Sequence, residues 1–231
     1  MTTLKLLSGG AAQGLVARLG ERFAQETGWA IEGRFGAVGA MQDQLLAGAP
    51  CDVLILTQAL IAQLTASGHV LAGSARALGP VATGVAIQSG APEPRVDTPD
   101  ALKAALRSAH GIYFPDPIKA TAGIHFMKVL QQLGIAAELA PRMRTFPNGA
   151  AAMRAMADCR EPGLIGCTQV TEILYTPGVH LVADLPKAFQ LATVYTAAVC
   201  AGAAELALAA RLVQVLSDGA SEAIRRACGF R

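Results

Sequence analysis

Short apolar runs and longer amphipathic stretches alternate along the chain, with glycine-rich or polar punctuation between them. Residues 4–7 form an apolar run that stops at Ser8-Gly9-Gly10, and residues 11–25 place Leu15, Leu19 and Phe23 on one helical face. That order predicts a strand, a glycine loop and an amphipathic helix, and it recurs. Residues 30–35 read as a second strand. The loop Phe35-Gly36-Ala37-Val38-Gly39-Ala40 follows, then a short helix over 41–46, the turn Ala47-Gly48-Ala49-Pro50, a third strand over 53–56 and a helix over 59–68. Alternation of this kind predicts an α/β fold built on a parallel sheet, with ligands at the carboxyl ends of the strands.

Past Leu78-Gly79-Pro80 an apolar run over 81–87 leads into the turn-rich patch Ser89-Gly90-Ala91-Pro92-Glu93-Pro94, the expected passage into a second lobe. Thr98-Pro99-Asp100 caps a helix to about residue 108, with Pro99 at a position where its missing N–H costs nothing. Strands are expected at 111–114, 142–146 and 164–167, each feeding a loop and a helix, the helices over 122–133, 150–159 and 170–174. Residues 180–183 close this lobe's sheet, 191–199 return the chain, and a last helix covers 203–216. The expected lobes are residues 1–80 with 192–231, and residues 81–191, joined by two hinge crossings.

The strand-to-helix loops carry the candidate chemistry. Free N–H groups and the positive end of the helix dipole gather at a helix start, and glycine lets backbone approach a ligand closely. The candidate ligand-binding positions are Ser8, Gly9, Gly10 and Ala11 in the first loop, and Gly36, Ala37, Val38 and Gly39 in the second. Lys119, Thr121 and Ala122 belong to the third, Asn148 to the fourth, and Thr168 and Gln169 to the fifth. If two lobes face each other, these loops converge on one interlobe cleft suited to a small anion.

Composition narrows the partners. A net charge of +2, the lack of a long Lys/Arg run and 5% aromatics argue against nucleic acid. The 52% hydrophobic content is enough for a sizeable core, but the most apolar later stretch, 197–210, is interrupted by Glu205, so no membrane insertion is expected. Five scattered cysteines without a C-x-x-C pair read as buried reduced thiols, and neither a metal nor a cofactor is expected. Met1-Thr2-Thr3 runs at once into the first strand, without a charged, apolar leader. The expectation is therefore a cytoplasmic chain, or a periplasmic one if a signal peptide has been removed.

Ala47-Gly48-Ala49-Pro50-Cys51-Asp52-Val53 resembles the AGAPADV stretch of the molybdate-binding components of ABC transporters. Phe35-Gly36-Ala37-Val38-Gly39-Ala40 resembles the serine-containing loop before it. Asp116-Pro117 with Ala122-Gly123 is similar to that family's D-P-x-x-x-x-A-G loop, and Cys228-Gly229-Phe230 to its C-terminal ending. The resemblance spans nearly the whole chain and implies the type II periplasmic-binding fold, with an ABC permease as partner if the chain is exported. The family's oxyanion-binding hydroxyls are replaced here. Ala11 and Ala37 or Val38 stand at the serine positions, and the tyrosine position falls near Gly166, Cys167 and Thr168. A small carboxylate is expected in preference to molybdate, with Lys119 or Gln169 as direct donors.

Aconitate isomerase is similar to the same family, which implies an alternative: a cytoplasmic isomerase that shifts a double bond in a small polycarboxylate by proton transfer. Such chemistry needs one base within hydrogen-bond reach and donors at the developing enolate. The catalytic candidates are His125 in the first turn of its helix, Asp116 in the third loop and Tyr195 in the returning strand. Each also has a purely structural reading: a surface histidine, a turn aspartate between two prolines, and a packing tyrosine. Glu172, one turn after Thr168, reads as its capping partner.

Overall fold

The computed structural model describes residues 2–231. In chain order the elements are β1 (Thr3–Gly9), α1 (Gln13–Thr27), β2 (Ala30–Gly36), α2 (Val38–Leu46), β3 (Val53–Thr57), α3 (Gln58–Ala66), β4 (Arg76–Gln88), α4 (Pro99–Ser108) and β5 (Gly111–Pro115). They continue with α5 (Thr121–Gln132), α6 (Ala136–Leu139), β6 (Met143–Phe146), α7 (Gly149–Asp158), β7 (Leu164–Gln169), α8 (Val170–Tyr175), β8 (Val179–Asp184), β9 (Ala192–Val199), α9 (Leu206–Ser217) and α10 (Glu222–Ala227). The chain divides into two units: everything up to Val81 together with Thr193–Arg231, and Ala82–Ala192.

In the first unit β1 pairs in parallel with β2 and β3, while β9 joins β3 antiparallel, with Leu54 opposite Ala198 and Thr57 opposite Tyr195. One core holds Leu4, Leu6, Val53, Leu54 and Ile55 of the strands with Leu15, Leu19 and Phe23 of α1 and Leu212, Val215 and Leu216 of α9. The aspartate of the Ala47–Val53 motif ties this unit together. One Asp52 carboxylate oxygen accepts the Lys5 N–H at 2.7 Å, and the other accepts the Ala204 N–H at 2.8 Å. It is thus a splint between β1 and the turn after β9.

In the second unit β5 lies parallel to both β6 and β7, whereas β4 is antiparallel to β7 and to β8. Both faces of β5 and β7 are buried, which explains why their cores read as apolar runs. Val85, Ile112, Phe114, Ile165 and Cys167 face α4 and α5 residues such as Leu106, Phe126 and Val129. Their neighbours Ala86, Tyr113 and Leu164 face Met153 and Met156 of α7 and Ile173 of α8.

The parallel sheet expected from the sequence is corrected to mixed sheets: β4, β8 and β9 run against the strands they pair with. Apolar periodicity carries no direction, so an antiparallel strand reads like a parallel one. No helix among the described residues is long and apolar enough to cross a membrane.

All five cysteines are free thiols, and all but the half-buried Cys159 are buried. Burial pushes the Cys167 thiol up, and the Cys51 thiol 3.3 Å from Cys200 does the same to Cys200. The folded protein at pH 8 should therefore react quickly with a thiol-specific chromogen only at Cys159, and release the remaining colour on denaturation. Rapid reaction of all five without denaturant would contradict the burial of the other four.

Candidate functional site

In the first unit the ends of β1 and β2, the start of α2 and the start of β9 come together around Gly9. A Cβ at Gly9 would lie 2.8 Å from Val38 Cγ1 and 3.1 Å from Tyr195 Cε1, so glycine is what lets these elements close up. Ser8 is fully buried, and its hydroxyl donates to the Gly9 carbonyl at 2.8 Å. After it Gly10–Ala12 form a buried 3-10 turn that leads into α1. Neither α1 nor α2 has a side-chain cap or an acidic residue in its first turn, and Ala11, Ala37 and Val38 are buried at these starts. The Gln13 N–H is taken by the Gly10 carbonyl, so it is the N–H groups of the Gly10–Ala12 turn and of the first turn of α2 that have no capping side chain.

In the second unit Asp116 is a turn residue. Its Oδ1 accepts the N–H of Ile118 at 2.7 Å and of Lys119 at 3.0 Å, and so shapes the loop that delivers α5. Gly123 packs directly on the Pro115 and Asp116 carbonyls, which seats the start of α5 against the end of β5. That start resembles those of α1 and α2: Ala120 caps without a side-chain bond, no acid lies in the first turn, and Ala120 and Ala122 are buried. Thr121 opens α5 half-buried, while Lys119 is exposed. His125 Nε2 lies 2.7 Å from the Phe189 carbonyl. Facing a carbonyl, Nε2 must carry the proton, which leaves Nδ1 as the basic nitrogen.

The start of α7 is different because the protein fills it with its own carboxyl group. Asn148 Oδ1 caps the helix by accepting the Ala151 N–H at 2.8 Å. The Glu172 carboxylate, buried on α8, accepts the Thr168 hydroxyl at 2.6 Å and the N–H groups of Gly149, Ala150 and Gln169. Burial pushes the Glu172 carboxyl above its ordinary value, and those hydrogen bonds pull in the opposite direction. Thr168 therefore serves Glu172.

Gln169, at the end of β7, has both side-chain amide atoms buried with no hydrogen-bond partner among the described residues. On β7 the tyrosine position of the resemblance falls near Gly166, Cys167 and Thr168, and at Gly166 a Cβ would meet the Met153 methyl at 2.5 Å and the Met156 methyl at 3.1 Å. Methionine packing occupies the space a larger side chain at Gly166 would need. A cavity of about 580 Å³ opens between Leu71–Ser74 and α9, but it shares no residue with any strand-end loop. Among the described residues no group of acidic, histidine or cysteine side chains could hold a metal ion.

The sequence-derived positions thus separate by role. Ser8, Gly9, Gly10, Ala11, Gly36, Ala37, Val38 and Gly39 form one set in the first unit, with Tyr195 beside it. Thr121, Ala122 and His125 belong to the start of α5, and Asn148 and Thr168 are tied to internal partners. Two features emerge only in three dimensions: the reach of Glu172 to the start of α7, a tertiary contact, and Thr83, a buried threonine opposite Gln169.

Across 236 residues, covering 97% of this chain and 86% of the other, the sequence is 28% identical to a Pseudomonas protein named aconitate isomerase. The fold matches the periplasmic molybdate-binding protein of Azotobacter vinelandii with a TM-score of 0.82 at 21% identity, covering 99% of this chain and 98% of that one. It also matches the sulfate-binding protein SubI of Mycobacterium tuberculosis with a TM-score of 0.78 at 16% identity, over 100% of this chain and 87% of that one. The family model described as bacterial extracellular solute-binding protein matches residues 4–231, and the chain belongs to that family.

Proposed function

We propose that this protein binds a small carboxylate-bearing anion at backbone N–H donors of its uncapped helix starts. The observation that carries this reading is the contrast between helix starts. Those of α1, α2 and α5 are buried and have neither a side-chain cap nor an acid, whereas that of α7 is satisfied by Asn148 and Glu172. An anion placed at such starts gains from the N–H groups and the helix dipole without a cationic side chain. Ala11, Ala37, Val38 and Ala122 stand beside those donors, and such apolar walls suit a ligand with carbon better than a bare tetrahedral oxyanion.

A ligand that binds only the folded state raises the melting temperature with concentration. Citrate, cis-aconitate or trans-aconitate should therefore raise it, with molybdate, tungstate and sulfate giving smaller shifts. Stabilisation by molybdate and tungstate alone would overturn the carboxylate reading.

The likeness to the protein named aconitate isomerase favours a second reading, in which the bound polycarboxylate is isomerised. His125 Nδ1 is then the base, its ring oriented by the Phe189 carbonyl. Proton NMR of cis-aconitate incubated with the protein should show the trans isomer appearing, and His125→Ala should abolish it. A bound carboxylate that is never converted would leave binding alone.

A further inference from the structure

Six buried side-chain atoms among the described residues lack a hydrogen-bond partner, and three of them are Thr83 Oγ1 and the two amide atoms of Gln169. These two residues are direct partners on antiparallel β4 and β7, so their side chains share one face of the sheet with Cβ atoms about 5 Å apart. The next pair on that face, Val85 and Cys167, lies in the apolar core with Phe126 and Val129 of α5. Thr83 and Gln169 are one step further toward the carboxyl end of β7. Because β5 runs parallel to β7, this is also the end at which α5 begins. The segment that His125 contacts through Phe189 borders the same place, since Thr83 bonds to Leu185 and Leu191 through its backbone.

Buried polar atoms without partners lower stability, and each one that persists calls for a partner from outside the chain's own groups. We propose that the Thr83 hydroxyl and the Gln169 Nε2 form a two-donor seat for one carboxylate of the ligand, and that this seat selects an extended polycarboxylate over a compact tetrahedral oxyanion. The inference rests on the carboxylate reading above. Two neutral donors side by side match the two oxygens of a planar carboxylate. The lone pairs of Gln169 Oε1 beside them repel an anion that presents oxygen in every direction. Thr83 and Gln169 are only 1% and 2% exposed, so the ligand reaches them as the covering side chains part.

The test uses Thr83→Val, which is isosteric, and Gln169→Leu in the full chain. Citrate, trans-aconitate and sulfate are titrated calorimetrically, and melting temperatures are measured without ligand. For a tricarboxylate that binds the parent protein, each variant should weaken binding roughly tenfold or more, as expected when a buried donor is lost, with sulfate within about twofold of its parent value. Ligand-free Thr83→Val should melt no lower than the parent, because it removes an unpaired buried hydroxyl. Should Gln169→Leu fail to fold, Thr83→Val alone decides the outcome. Parent-like tricarboxylate binding by the variants, an equal loss of sulfate, or a lowered melting temperature of ligand-free Thr83→Val would each overturn the seat while leaving the carboxylate reading intact. A parent protein that binds neither tricarboxylate would overturn that reading and the seat with it.

Discussion

Replacing Gly149 by alanine is expected to destabilise the protein by roughly 3 kcal/mol, the upper end for overpacking at a buried site. The added Cβ would fall on Thr168 Oγ1 and Glu172 Oε2, two atoms already bonded to each other at 2.6 Å. Neither can retreat at low cost. Thr168 is fully buried on β7, and the Glu172 carboxylate is held by the N–H groups of Gly149, Ala150 and Gln169, so shifting one bond disturbs the others. The effect is steric and not torsional, because Gly149 is not among the glycines with positive φ. Gly202→Ala is the matched control. A Cβ there meets nothing within 4 Å, and its stability should stay within about 0.5 kcal/mol of the parent. Urea denaturation followed by far-ultraviolet circular dichroism measures both, and equal midpoints for the two variants would contradict the packing described.

Much of this architecture is legible along the chain, since the elements from β1 to α3 announce themselves by apolar runs, glycine breaks and a 3.6-residue period. The direction of β4, β8 and β9 is not legible, because their neighbours are chosen by topology. The short helices α6 and α10 are too brief to show a period. At the candidate site, local chemistry reads well and tertiary chemistry does not. Asp116 between two prolines reads as a turn residue, and its bonds to Ile118 and Lys119 agree. The spacing of Thr168 and Glu172 announces their hydrogen bond. That Glu172 also satisfies the start of α7 depends on how α7 packs on α8, for which neither segment carries a signal. Thr83 is concealed by the apolar run around it, and only its register with Gln169 gives it meaning.

Glu172→Leu should cost roughly 3–5 kcal/mol, because a buried cluster of donors loses its shared acceptor. The Thr168 hydroxyl and three N–H groups would be stranded in an apolar site. Glu172→Gln keeps an oxygen for some of these donors and should cost less, which makes it suitable for isolating the ionisation. The Glu172 carboxyl is raised above its ordinary 4.5 in the folded state, so between that value and its folded pKa the native protein binds the extra proton. Stability from this group is therefore complete below pH 4.5 and is lost as pH rises through the folded pKa. Glu26, Glu32, Asp97 and Glu138 act in the opposite sense, held low by hydrogen bonds from Arg22, Lys5, Arg95 and Arg107. Those carboxylates are present in both proteins and cancel in the difference. Unfolding free energies of the parent minus those of Glu172→Gln, taken from pH 4.5 to 8, should fall with rising pH and then level off. A flat difference would mean that the carboxyl titrates alike folded and unfolded, and a rising one that its hydrogen bonds outweigh its burial.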